Sequence, residues 1–331
     1  MKLFTIQFAA IFLSVFLLTV IAERILIPIL KTRKMGQKIL EIGPRWHKSK
    51  EGTPTMGGIG FILASLLVMA VFFVIKGIKG TSSVYIPLAL TLGYAVANGA
   101  VGFVDDYFKL VVKKENEGLT AKQKLLLQLV LAGAYVCIMS YTGNMNTQLM
   151  LPFADRPIDL GFWYYPIAVI ILAGVVNGGN ITDGIDGLAS SVTFVIGAFF
   201  AVWAFSARAE QLSIVSAVLM GSALGFLIYN FNPARVFMGD TGSLFFGALV
   251  IGAAFMMKNP IAGLLASAVF IIEMLSSFLQ VLYFKATHGK RLFKMAPLHH
   301  HFEKCGWKER PIMFAFSLAA ALFCLLAWMI I

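Results

Sequence analysis

WYYPIAVIILAGVVNGGNITDGIDGLASSVTFVIGAFFAVWAF, residues 163–205, decides the architecture. Two apolar runs flank a polar insert, Asn177–Gly187, that holds two carboxylates, two amides and four glycines. A helix needs roughly 20 apolar residues to cross a hydrocarbon core of about 30 Å, and each flank approaches that length. Charged groups at the middle of a span are costly. The insert therefore reads as the place where the chain reaches the membrane surface and turns back.

The rest of the chain repeats the pattern. Hydrophobic residues make up 59% of the 331 positions and charged residues 13%, far from the balance of a soluble domain. Ten apolar runs centre on residues 4–22, 57–75, 84–104, 125–142, 162–177, 188–206, 212–230, 243–257, 260–284 and 312–331. The expected fold is an all-α polytopic membrane protein of about ten transmembrane helices, with residues 1–331 forming one integral domain. The first run is longer than an ordinary signal sequence and is followed by a basic stretch, so a retained helix is expected. The three cysteines suggest no disulfide framework.

Lysine and arginine collect on the cytoplasmic side of membrane proteins. Loops after the odd-numbered runs carry 20 of them and the remaining loops and N-terminus carry 6. Both termini are thus expected outside the cytoplasm. Each concentrated polar motif then falls on the cytoplasmic face, while Asp155, Arg156, Asp159, Arg208 and Glu210 read as a solvated outer surface. The net charge of +11 suits anionic lipid headgroups. Nucleic-acid binding is not expected, because the aromatic residues lie in the spans rather than among the basic loops.

Asp105 and Asp106 end the third run, and adjacent carboxylates repel unless a cation or a shared proton relieves them. Mg²⁺ commonly combines one or two carboxylates with substrate phosphates. A plain helical ion pair between Asp105 and Lys109 is the alternative. Asn177, Asn180, Asp183 and Asp186 recur every third residue, in phase on a helix or on successive tight turns. In FMGDTGS, Asp240 sits between glycines where the eighth helix begins, and a helix N-terminus with flexible backbone favours anions. Phe237 offers a flat face, and Asn230 is a further polar contact. His299, His300 and His301 can donate to phosphate oxygens or move a proton near neutral pH, with a zinc site using Cys305 as the alternative. Glu273 and Gln280 lie inside the ninth run, where an ionisable group suggests function; Glu273 also fits a simple pair across the bundle.

GTPTMGG, VGFVDDYFK, NGGNITDGIDGLA, NFNPARVFMGDTGSL and APLHHHFE, spanning roughly residues 45–310, together resemble the phospho-N-acetylmuramoyl-pentapeptide transferase family, within the polyprenyl-phosphate sugar-1-phosphate transferase superfamily. The resemblance implies a ten-helix enzyme of the bacterial inner membrane with a cytoplasmic cleft. Its reaction would join phospho-MurNAc-pentapeptide, carried by UDP, to undecaprenyl phosphate, giving lipid I and UMP. It implies Asp105, Asp106, Asp240 and His299 as catalytic residues and Asp240 as the Mg²⁺ ligand. Lys48, Thr53, Lys109, Lys124, Asn180, Asp183, Asp186, Asn230, Phe237, Ser243, Gln280 and His300 are implied around the substrates, with Lys122 the alternative to Lys124. The expected partners are UDP-MurNAc-pentapeptide, undecaprenyl phosphate, membrane lipids and a second copy of the chain in a homodimer. The alternatives are a sibling enzyme using UDP-N-acetylglucosamine and, from another class, a secondary transporter, whose polar groups would gather near the midplane and recur in two halves.

Overall fold

The computed structural model describes residues 2–33, 35–36, 50–112, 118–151 and 156–331. Twelve α-helices account for almost all of the regular structure. They are α1 (Lys2–Thr32), α2 (Gly58–Ile78), α3 (Ile86–Tyr107), α4 (Ala121–Tyr141), α5 (Tyr164–Thr182), α6 (Leu188–Ala207), α7 (Glu210–Asn230), α8 (Gly239–Met256), α9 (Pro260–Ala266), α10 (Ala268–Ala286), α11 (Leu298–Lys304) and α12 (Glu309–Trp328). A two-stranded antiparallel hairpin, β1 (Gln148–Leu149) and β2 (Ile158–Asp159), joins α4 to α5. Ten helices among the described residues are long and apolar enough to cross a membrane, as the composition predicts.

The bundle is built around α8. Every residue from Thr241 to Met256 is buried, and α2, α3, α5, α6, α7 and α9 all pack against it. The outer helices turn leucines and isoleucines outward instead, among them Leu13, Leu17 and Ile21 on α1 and Leu318, Leu322 and Leu325 on α12. An apolar perimeter has no penalty in lipid, where the cost falls on unsatisfied polar groups. Crossing helices without a hydrophobic driving force depends on close backbone approach, which small residues permit. Gly102 of α3 is the clearest case, since a Cβ there would lie 2.1 Å from the carbonyl oxygen of Asp240.

Three expectations need correction. First, α1 runs on to Thr32, so Lys31 belongs to the helix rather than to the basic loop after it. Second, the run at 260–284 is two helices: the chain turns at Ser267, whose hydroxyl bonds back to the Gly263 carbonyl, and α9 lies against α8 and α12. Third, the turn does not take up the whole Asn177–Gly187 insert: α5 continues through Gly178 and Gly179 to Thr182. They let α5 press on its neighbours, since a Cβ at Gly178 would lie 2.6 Å from the Phe270 carbonyl oxygen. The reversal comes later, at Asp183–Gly187.

The two ends of the bundle differ in chemistry. At one end Glu210 accepts from Gln7 (2.9 Å), Lys76 (3.0 Å) and Tyr85 (2.9 Å), joining α1, α2 and α7 to the turn that opens α3. Glu210 is therefore a clamp as well as the surface residue expected, its side chain 38% exposed, while Asp155 falls outside the described residues. At the other end lie the C-termini of α3 and α5, the N-terminus of α8, and α11. Gly102→Ala is expected to cost about 1–3 kcal/mol by overpacking against backbone that cannot yield. A lowered thermal midpoint in detergent checks this, and an unchanged one contradicts it.

Candidate active site

A helix N-terminus leaves backbone N–H groups without intrahelical partners. That of α8 ends against α3, and Asp106 fills the gap. Its carboxylate accepts from the N–H groups of Asp240 (3.2 Å) and Thr241 (2.9 Å) and from the Thr241 hydroxyl (2.7 Å). Asp105, one residue earlier, is aimed elsewhere. One of its oxygens accepts from the Leu119 N–H (2.7 Å), and the other from Lys109 (2.8 Å) and Lys124 (3.4 Å). The adjacent acids thus escape mutual repulsion by taking different partners, one a helix terminus and the other two ammonium groups.

Asp240 completes this arrangement. Its Oδ2 accepts from Lys109 and Lys124, both at 2.8 Å, and its Oδ1 from the Asn180 amide at 2.7 Å. Asn180 also donates to Ser243 Oγ (2.8 Å), one turn along α8. The ion pair between Asp105 and Lys109 exists, but Lys109 spans both acids, so neither reading of that pair was complete. Lys122 is exposed, while Lys124 reaches Asp105, Asp240 and Asn180.

Asp183 follows α5 directly, and among the described residues its carboxylate has no hydrogen-bond or ion-pair partner. Burial pushes its carboxyl well above the usual carboxylate range, reinforced by the charges of Asp240, Asp106 and Asp186 and opposed by Lys50. Next to it, Gly184 covers His299: a Cβ at Gly184 would lie 2.1 Å from Nε2. His299 is fully buried, and Glu273 of α10 accepts from its backbone N–H (3.2 Å) and faces its Nδ1 at 2.9 Å. The outer nitrogen, Nε2, has no hydrogen-bond partner among the described residues. Glu273 is thus the group that orients His299, the pair across the bundle that its place in the ninth run allows. The signal was its charge inside an apolar run.

Several expected contacts are brought to this end of the bundle but committed to holding loops. Asn230 accepts from Gly187 N–H and Ser190 and donates to the Val236 carbonyl. Gln280 holds the backbone of Leu292 and Phe293. Asp186 binds Lys50, Asn232 and the Ala234 N–H. His300 pairs with Glu303 at 2.6 Å. Asn177 turns to Gln128 of α4 and leaves the in-phase set. Thr53 and Phe237 are partly exposed, and Lys48 lies outside the described residues.

Chemically, the arrangement gathers four carboxylates, two lysines, an amide and a helix N-terminus. Among the described residues no three His, Cys, Asp or Glu side chains form a preformed metal cage. Mg²⁺ seldom uses such cages; it keeps waters and shares one or two carboxylates with phosphates. Asp183, without a direct partner among the described residues, and Asp240 are the carboxylates that could supply oxygen donors to a site of that kind, and Lys109 and Lys124 the ammonium groups that could donate to phosphate.

Residues 88–258 match the model of glycosyl transferase family 4. The chain is 42% identical over 312 residues to the phospho-N-acetylmuramoyl-pentapeptide-transferase of Halalkalibacterium halodurans, covering 94% of each. It is 42% identical over 311 residues to the protein of that name from Bacillus subtilis, again covering 94% of each. For the Clostridium perfringens protein the identity is 43% over 313 residues, covering 95% of this chain and 93% of the relative.

The Asp183 environment has a consequence for stability. A carboxyl whose pKa is higher in the folded than in the unfolded protein binds more protons when folded, so stability falls as pH rises from the ordinary carboxylate value of about 4. Asp183→Asn is therefore expected to melt higher than the parent in divalent-free buffer, by a margin that widens with pH. Thermal midpoints measured across pH check the sign; a margin that narrows or reverses contradicts it.

Proposed function

The chain belongs to the phospho-N-acetylmuramoyl-pentapeptide-transferase family, and from that membership we infer that it transfers phospho-MurNAc-pentapeptide from UDP-MurNAc-pentapeptide to undecaprenyl phosphate. The observation that carries the chemistry is the pair of lysines spanning Asp105 and Asp240 at the end of the buried helix α8. An oxygen of the lipid phosphate attacks the phosphorus that bears MurNAc, forming a new P–O–P bond. The diphosphate bridge of UDP breaks and UMP leaves, with lipid I as the other product. One phosphoanhydride replaces another. The nucleophile is already ionised near neutral pH, so little base catalysis is needed, and positioning and charge neutralisation dominate.

Each residue has a corresponding role. Lys109 and Lys124 neutralise Asp105 and Asp240 in the free protein and are placed to turn toward phosphate oxygens when substrate arrives. Asp106 fixes the N-terminus of α8, and with it Asp240. Asn180 orients the Asp240 carboxylate from the other side. His299, held by Glu273, supports the turn that carries Asp183. Asp240 and Asp183 would hold Mg²⁺, which supplies charge neutralisation at the bridging diphosphate.

The same reading places the protein in the bacterial inner membrane as a multi-pass enzyme, with this end of the bundle in the cytoplasm and both termini outside. The support is the alternation of basic and acidic motifs with the ten spans. A water-soluble nucleotide substrate and a lipid phosphate can meet only there. Gathering of the polar groups at one end disfavours a transporter. A homodimer belongs to this proposal, and the mass of the purified protein in detergent checks it.

Purified protein given both substrates and Mg²⁺ is expected to release UMP. Chelation of divalent ions is expected to abolish release, and Asp240→Ala to reduce it by about 10²–10³-fold, the scale for loss of a central electrostatic group. Release that persists without Mg²⁺, or that survives Asp240→Ala, overturns the assignment. UDP-N-acetylglucosamine in place of the muramoyl substrate is expected to be turned over poorly.

A further inference from the structure

One cluster beside the site is unused by this mechanism. Lys50 Nζ donates to Asp186 Oδ1 at 2.6 Å and to Glu309 Oε2 at 2.7 Å. The same Glu309 oxygen accepts the Asp186 backbone N–H at 3.0 Å. Asp186 Oδ2 in turn accepts from the Asn232 amide (3.0 Å) and the Ala234 N–H (2.9 Å). Arg310 grips the Asn232 carbonyl through Nε (3.1 Å) and a terminal nitrogen (2.6 Å) and lies over the Phe231 ring.

The first two residues of α12 therefore hold two loops at once. One is the Asp183–Gly187 turn between α5 and α6. The other is the connection from α7 to α8, which leads into Phe237 and Asp240. Lys50 lies 6.0 Å from the centre of the Phe237 ring, and its charge acts on Asp183. Side-chain exposures of 17% for Lys50, 2% for Asp186 and 14% for Glu309 show a largely enclosed group. Enclosed charge pairs with shared hydrogen bonds fix geometry more than they stabilise a fold.

We propose that Glu309 is a positioning residue for the nucleotide substrate. By holding Lys50 and the Asp186 backbone it sets the wall formed by Phe237 and the Asp183 turn. The proposal rests on the transferase reading above and adds to it a residue of the last helix. Without the Glu309 charge, Lys50 keeps Asp186 alone and swings away from its place beside Phe237. The turn loses its anchor on α12. Such loosening weakens nucleotide binding and leaves the phosphate-transfer groups on α3, α4 and α8 in place.

Initial rates with each substrate varied separately test this. Glu309→Gln is expected to raise KM for UDP-MurNAc-pentapeptide about 3–10-fold, with kcat within about twofold and KM for undecaprenyl phosphate unchanged. Glu309→Asp, which keeps the charge on a shorter arm, is expected to fall between the two. Lys50→Met is expected to raise the same KM, and the double variant no further than the larger single effect. Lys50→Met also serves as the reading where Glu309→Gln does not fold. An unchanged nucleotide KM, an equal rise in both KM values, or a loss confined to kcat overturns the proposal. UMP release by the unmodified protein tests the transferase reading separately, since the proposal concerns only the ratio of variant to parent.

Discussion

The N-terminus of a helix buried from its third residue onward is the constraint from which the site follows. The first N–H groups of α8 have no intrahelical partner, and Asp106 on α3 accepts those of Asp240 and Thr241. That contact brings Asp240 against α3, where Asp105 already sits. Two lysines from separate segments then bridge the acids. Close approach is possible because Gly102 has no side chain to hold α3 away. Packing, capping and charge thus act at one point, and displacing any one would displace the acids.

The same point is where stability yields to function. Asp106 and Asp105 are well partnered, but Asp183 has no direct hydrogen-bond or ion-pair partner among the described residues and lies near three other acids, with the Lys50 charge only partly offsetting them. Strongly perturbed groups of this kind cluster at functional sites. Substrate and cation would relieve that repulsion, so part of the binding energy comes from a strain already present in the free protein. The lysines face the converse choice, between the aspartates that hold them now and phosphates that carry more charge.

Much of this was legible in the chain. Apolar run length located the ten spans, because lipid imposes a simple rule on backbone hydrogen bonds. The motif acids were legible because carboxylates and amides are costly near a membrane unless they meet a partner. What the runs could not reveal was tertiary. Gly178 and Gly179 look like helix breakers locally, yet close packing against Phe270 uses them inside α5. Asn230, Asp186 and Gln280 read as ligand contacts because they are polar, but their loops consume their hydrogen bonds. Glu273 stands out by its charge inside an apolar run but, like Glu309, is a lone carboxylate without a spacing that names its partner; only the fold supplies His299 and Lys50.

The central claim is that acids from α3, α8 and the turn after α5 form one cation pocket. Electron paramagnetic resonance of Mn²⁺, a stand-in for Mg²⁺ with the same preference for oxygen ligands, measures this directly on the detergent-purified protein. One saturable ion per chain is expected, displaced by Mg²⁺ and lost in an Asp183→Ala, Asp240→Ala double variant. Failure to bind Mn²⁺ saturably, or binding that the double variant retains, would contradict the account.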